Sequence, residues 1–382
     1  MTKPTQSPST APTPPTELAL RASPLAGVIF TLFLSLGFLS CVWLMLKGSI
    51  EFVPKVVTRD MLLHGDITHR FAKTLSDAPA PKQAADLERG ASWLVFGDLG
   101  PRVREGCPGW LFLTDELRVN HNAALNARAK AGAVIELQQG LARRGIQLMV
   151  AVVPDKSRIV ASQRCTLARP ALLAPRIGEW LTLLQGAGVP VLDLTPTLQA
   201  VGMGAYLRTD THWSEAGAKA AAGQVARAVA GLKFTATPHK RFDLVTQASA
   251  VRPGDLVRLA GIDWLPPMLQ PRTESVAATQ VKEQSEETAG ADNLDDLFGD
   301  DNLPNTALIG TSFSRNSNFL GFLEAALGAP VGNFAKDGGE FSGAAKAYFD
   351  SPAFRQTPPK LVVWEIPERD LQTPYGNDIR LP

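Results

Sequence analysis

Residues 305–327 read NTALIGTSFSRNSNFLGFLEAAL. The first part, 305–310, is short and apolar and ends in a Gly-Thr-Ser turn, the signature of a buried strand. Phe319–Leu327 supplies the apolar face of the helix that follows. The same strand-and-helix alternation continues on both sides. Ile146–Val153 (IQLMVAVV) predicts a buried strand by its length and β-branched content, preceded by helical spacing over 129–144. A second helix is predicted over 171–185 and a second strand over 189–194. An Ala-rich helix follows over 214–230, with Ser214 as its N-cap. Val331–Phe334 and Leu361–Ile366 add two more strands. Strands that alternate with helices predict an α/β fold, a doubly wound parallel sheet covered on both faces.

Two short segments carry chemistry. The first is Gly310-Thr311-Ser312-Phe313-Ser314, on the turn after a buried strand. A serine hydroxyl needs an adjacent base to act as a nucleophile. On a sharp strand-to-helix turn its backbone N–H points where an oxyanion forms, aided by the positive end of the next helix. A serine there is also a common helix cap, so the turn by itself is a weak signal. The second segment is Asp210-Thr211-His212-Trp213. An imidazole can take the serine proton and return it, and a carboxylate two residues earlier can fold back to fix its tautomer. Trp213 would wall one side from water. The other histidines, His64, His69, His121 and His239, lack such a setting and read as ordinary core or surface residues. Ligands of doubly wound sheets bind beyond the carboxyl ends of the strands. Ser312 follows one strand and Asp210 and His212 lie beyond another, so both segments can open on one rim.

The bulk numbers set the context. The chain has 382 residues, 45% of them hydrophobic, with 38 basic and 37 acidic side chains. A formal charge of +1 leaves no electrostatic footprint for nucleic acid. Leu25–Leu46 carries no charge and is long enough to span a bilayer, with Arg21 and Lys47 bracketing it. It is longer than a signal-peptide core and ends in bulky residues, which predicts an uncleaved anchor. Three cysteines are present, and no Cys/His spacing resembles a metal site. With the N-terminus inside, Cys107 and Cys165 would face an oxidising compartment and are a candidate disulfide. The expected organisation is a disordered tail over 1–24, a transmembrane helix over 25–46, a stalk over 47–92 broken near Pro79–Pro81, and one catalytic domain over 93–382. The acidic, polar stretch 274–301 reads as a flexible insertion.

Five motifs then occur in order: Trp110-Leu111-Phe112-Leu113, Val153-Pro154-Asp155-Lys156, the DTHW at 210–213, the GTSFS at 310–314, and Trp364-Glu365-Ile366-Pro367-Glu368-Arg369. Together, over about 93–370, they resemble the AlgJ/AlgX-type alginate O-acetyltransferases of the SGNH hydrolase-like group. The resemblance implies a permuted SGNH-like sheet and acetyl transfer onto a secreted polysaccharide in the periplasm, with Ser312, His212 and Asp210 as the triad and no cofactor or metal. It also implies a membrane-bound O-acyltransferase as acetyl donor and other exopolysaccharide-assembly proteins as partners. The strand at 361–366 leads into Pro367-Glu368-Arg369 rather than an oxyanion-hole Asn, so Gly338 and Gly339 are candidate second donors beside the backbone of Phe313. If the polymer is anionic, Lys156, Arg158, Arg208, Arg315 and Arg369 are candidate contacts. Only 13 residues follow Arg369, leaving no room for an added carbohydrate-binding domain and favouring the anchored AlgJ-like branch. Two other readings use the same residues: a polysaccharide acetylesterase, and a non-catalytic scaffold of an export complex.

Overall fold

The computed structural model describes residues 23–46, 57–284 and 303–382. Three of the segments read from sequence lie outside the described residues: most of the tail, the junction 47–56 and the acidic stretch 285–302. By internal contacts the chain divides into two compact units, 1–85 and 86–382. In the first unit, helix α1 (Pro24–Leu46) is long and apolar enough to cross a membrane. Two short helices, Arg59–Leu63 and Asp66–Ser76, follow it. Helix α2 (Pro79–Phe96) begins at Pro79, where a proline suits the first turn, and runs through the boundary into the second unit.

The second unit is built on a five-stranded sheet. Its strands are β3 (Gln147–Val153), β4 (Val191–Asp193), β7 (Thr306–Ile309), β8 (Gly332–Asn333) and β9 (Leu361–Pro367), in the order β4-β3-β9-β7-β8, and every pair is parallel. Both central strands, β3 and β9, are buried along nearly their whole length, which is why they read as continuous apolar runs. Alternation then assigns the two faces. Val150, Val152, Val362, Trp364 and Ile366 join one core with helices α3 (Ala123–Ala142) and α4 (Arg176–Gly186). Met149, Ala151, Val153, Leu308 and Val363 join the other, with helices α5 (Glu215–Gly231) and α6 (Phe319–Leu327). Ser214 caps α5, its hydroxyl accepting from the Gly217 N–H at 3.1 Å.

Two smaller sheets complete the unit. β1 (Val103–Glu105) and β2 (Leu111–Leu113) pair antiparallel and share a small core with Leu256, Val257 and Ile262. β5 (Phe242–Arg252) and β6 (Glu274–Glu283) form an antiparallel ribbon. The ribbon corrects the expectation of a flexible insertion beginning at residue 274. Glu274–Glu283 is a strand whose outer face meets solvent and whose Val281 rests against Gly321 of α6. A strand buried on so little of its surface leaves almost no hydrophobic pattern to read.

Candidate functional site

The carboxyl ends of β3, β7 and β9 open on one rim, and the segment 206–213 closes over it. That segment is a tight loop: Tyr206 bridges to Trp213, and the Leu207 N–H donates to the His212 carbonyl at 3.2 Å. Beneath it, the Lys156 ammonium, fully buried, donates to the carbonyls of Leu111, Arg208 and Asp210 at 2.6, 2.8 and 3.0 Å. Lys156 therefore organises backbone rather than reaching a substrate, which corrects its reading as a polymer contact. A cation that satisfies three inward carbonyls fixes the loop that carries Asp210 and His212.

On that loop the His212 Nδ1 lies 2.6 Å from Asp210 Oδ1, and its Nε2 lies 2.7 Å from Ser312 Oγ. The Asp210 carboxylate also accepts the His212 backbone N–H at 3.0 Å. Asp210 and His212 are 4% and 5% exposed, while Ser312 is half-buried at the cleft surface. Burial alone would raise the Asp210 carboxyl. The hydrogen bond and charge of His212, with Arg252 nearby, outweigh it and hold the group well below the usual carboxylate range. An ionised carboxylate there selects the tautomer with a proton on Nδ1 and leaves Nε2 to accept from Ser312.

The turn carrying Ser312 is held from β9. Glu365, 2% exposed, accepts from the Thr311 N–H at 2.6 Å, from the Thr311 hydroxyl at 3.0 Å and from the Ser314 hydroxyl at 3.1 Å. The Phe313 N–H is directed at the Thr311 hydroxyl at 3.4 Å, and its ring packs edge-on against His212 at 5.1 Å. Trp213 lies wholly beneath the site, stacked on Phe319 at 4.7 Å, so it supports the loop from below rather than walling the cleft. Two clefts, of about 620 and 550 Å³, meet at Ser312, and Ser312 and Gly338 line both. Gly338 thus remains beside Ser312, but the Gly339 N–H donates to the Lys336 carbonyl at 3.0 Å and is not available to an oxyanion.

The basic candidates separate by environment. Arg369 lines the larger cleft with Ser312, its guanidinium 5.2 Å above the Phe313 ring. Arg315 is exposed and 3.7 Å from Asp337. Arg208 approaches Glu274 at 3.9 Å. Arg158 is bound to the buried Glu368 at 2.6 Å, inside an ion cluster that also holds Arg169 and Asp155, so it is structural. Cys107 and Cys165 are joined, with their Cα atoms 5.0 Å apart. Asp210, His212 and Asp255 are the described residues whose donor atoms converge closely enough to suggest a cation, but Nδ1 of His212 is already engaged by Asp210.

Three residues of the site escaped the sequence reading, Arg252, Asp255 and Asn316, and Glu365 entered it only within the motif at 364–369, without a role. Of those three, Asn316 left a signal, lying four residues after Ser312.

Comparisons with known proteins agree with this architecture. Residues 103–368 match the family model described as SGNH hydrolase-like domain, acetyltransferase AlgX. A probable alginate O-acetylase AlgJ of Azotobacter vinelandii is 31% identical over 336 residues, covering 86% of this chain and 85% of that protein. The alginate biosynthesis protein AlgX of Pseudomonas putida is 31% identical over 270 residues, covering 67% of this chain and 54% of its own. The solved O-acetyltransferase domain of Pseudomonas putida AlgJ superposes with a TM-score of 0.61 at 29% identity, covering 72% of this chain and 93% of that one. The chain therefore belongs to the AlgX-type family of SGNH hydrolase-like acetyltransferases, and stands nearer to its AlgJ members than to AlgX.

Proposed function

We propose that the protein is a membrane-anchored O-acetyltransferase that esterifies hydroxyl groups of a secreted acidic polysaccharide, of the alginate class, through an acetyl-serine intermediate. The observation that carries the reading is the unbroken relay Asp210–His212–Ser312, with contacts of 2.6 and 2.7 Å. In the first step Ser312 Oγ attacks the carbonyl carbon of the acetyl donor while its proton passes to His212 Nε2. The tetrahedral oxyanion collapses, the donor's leaving oxygen takes the proton from His212, and acetyl remains on Ser312. In the second step a sugar hydroxyl gives its proton to His212 and attacks the acetyl carbon. The serine oxygen leaves and recovers that proton, so the enzyme is regenerated. Asp210 stays ionised throughout and stabilises the imidazolium. The Ser312 N–H and Gly338 are the candidate oxyanion donors.

The two open clefts that meet at Ser312 suit a polymer better than a small buried ligand. Arg369 and Arg315 are the candidate contacts for its carboxylates. The apolar helix Pro24–Leu46 serves as a single inner-membrane anchor, and the joined Cys107 and Cys165 favour a periplasmic setting for residues 93–382. A membrane-bound acyltransferase within the polymer-assembly machinery is the proposed source of acetyl.

The test is incubation of the full-length protein with an acetyl ester, with and without oligouronate. Acetyl on the sugar supports transfer, and free acetate as the sole product assigns an esterase instead. Ser312→Ala is expected to abolish both. Polymer acetylation that survives in cells carrying only that variant refutes the catalytic reading in favour of a scaffold.

A further inference from the structure

The acid–base loop and the nucleophile turn come from stretches 100 residues apart and meet through the His212–Ser312 contact, through the Ser317 hydroxyl donating to the Trp213 carbonyl at 2.5 Å, and through the Phe313 ring packed against His212 and Trp213. The ribbon strand β5 ends at Arg252, followed by Pro253, Gly254 and Asp255. This tetrad of residues is fitted against the acid–base loop. A side chain at Gly254 would come within 1.9 Å of the Thr209 carbonyl oxygen, so the backbone approaches as closely as a glycine permits.

From this position Arg252 touches both halves of the site. Its Nη2 lies 3.6 Å from Asp210 Oδ2, the oxygen that does not bind the His212 ring, and donates to Asn316 Oδ1 at 3.3 Å. Asn316 in turn donates through Nδ2 to the Ser312 carbonyl at 2.9 Å, and the same nitrogen lies 3.4 Å from His212 Nε2. Asp255 completes the arrangement. Its Oδ1 accepts the Thr211 N–H at 2.6 Å, its own N–H points at Asp210 Oδ2 at 3.4 Å, and its Oδ2 lies 3.7 Å from His212 Nδ1. His212 is thus faced by two carboxylates behind, with Arg252 beyond them, and by Ser312 and Asn316 in front. Burial and the Asp210 charge push the Asp255 carboxyl up, which marks the crowding of the two acids.

We propose that Arg252 and Asp255 are positioning residues: Arg252 ties the Asp210 carboxylate to the Asn316 side chain on the nucleophile turn, and Asp255 fixes the acid–base loop and adds a second negative charge behind the imidazole. The proposal rests on the triad reading above. Both contacts are made by the one nitrogen Nη2, which lies one bond beyond the reach of a lysine ammonium at the same position. Asp255 acts in two separable ways, as acceptor for the Thr211 N–H and as charge.

The experiment uses the full-length protein in detergent, with p-nitrophenyl acetate hydrolysis measured between about pH 5 and pH 9, where an imidazole titrates. Arg252→Ala is expected to lower kcat by about 10- to 100-fold with KM changed less than about twofold, the pattern of a group that acts only through the reacting geometry. Arg252→Lys is not expected to restore the rate. Asp255→Asn keeps an acceptor for Thr211 and is expected to retain at least about a third of kcat while moving the acidic limb of the pH profile to lower pH, because the imidazolium loses a neighbouring charge. Asp255→Ala should lose the rate as well. A downfield proton resonance from the His212 Nδ1–H, shifted or broadened in Arg252→Ala, reports the clamp without turnover. If that resonance responds to Arg252 while Ser312→Ala leaves hydrolysis intact, the triad reading fails and the clamp stands. If Arg252→Ala leaves rate, pH profile and resonance at their wild-type values, or if Arg252→Lys restores all three, the proposal is overturned.

Discussion

Gly310→Ala probes how tightly the nucleophile is held. A Cβ at this position would lie 2.5 Å from Glu365 Oε2, 2.8 Å from Glu365 Cβ and 2.8 Å from Ser314 Oγ. Non-bonded heavy atoms settle near 3.5 Å, so turn and strand must part by roughly 1 Å. Glu365 has little room to yield, because it is buried in the central strand β9 and bound to Thr311 and Ser314. The displacement falls on the turn that carries Ser312. A shift of roughly half an ångström along the line to His212 takes that contact to the edge of hydrogen-bonding range, near 3.2 Å. Overpacking of this kind costs about 1–3 kcal/mol. For a chain of this size it lowers Tm by about 2–10 °C. Misplacing the nucleophile costs about 100-fold in kcat. Differential scanning calorimetry and acetyl-ester hydrolysis on the same preparation measure the two effects together. A variant that keeps Tm within about one degree and at least about half of kcat would show that the Glu365 clamp has slack, and the account of how Ser312 is oriented would fail.

Three further outcomes are expected. Asp210→Asn should lower kcat on the order of 10³- to 10⁴-fold with KM little changed, since the amide no longer enforces the Nδ1–H tautomer; a loss under about tenfold in steady-state kinetics would count against the triad. Lys156→Met orphans the Leu111 and Asp210 carbonyls and should cost about 2–5 kcal/mol in urea unfolding. Burial brings the Lys156 ammonium down from 10.5 to about 8, so between those values the unfolded chain binds more protons. Wild-type stability gains relative to the Met variant as pH rises through that window, and a constant difference between the two would contradict this. Replacing Cys107 and Cys165 with serine removes a link between residues 58 apart and should cost about 2–4 kcal/mol, read as a fall in Tm that dithiothreitol reproduces in the wild type.

Much of the fold was written locally. The apolar runs at 146–153, 305–310 and 361–366 gave the central strands of the sheet, because a parallel strand buried on both faces must be apolar throughout. The Ala-rich helix after Ser214 and the 22-residue charge-free run at Leu25–Leu46 were equally plain, each being a property of neighbouring residues. The Gly-Thr-Ser turn and the Asp-x-His pair marked the two chemical segments, since strand-end turns and short acid–base spacings are also local.

The partners of the charged side chains were not local, and sequence misassigned them. Lys156 and Arg158 read as candidate contacts for an anionic polymer, but the fold brings three backbone carbonyls to one and the buried Glu368 to the other. Gly339 looked like an oxyanion donor until the 336–339 turn committed its N–H to Lys336. The ribbon that carries Arg252 to Asp210 was invisible because β5 is exposed along nearly its whole length, so burial imposes no hydrophobic alternation on it. Sequence alone determined the sheet, the apolar helix long enough to cross a membrane, and which residue types could do chemistry. Only the tertiary structure decided which carbonyl, carboxylate or hydroxyl each of them meets, because a hydrogen bond depends on position to within a few tenths of an ångström and residues distant in sequence acquire that position only when the chain has folded.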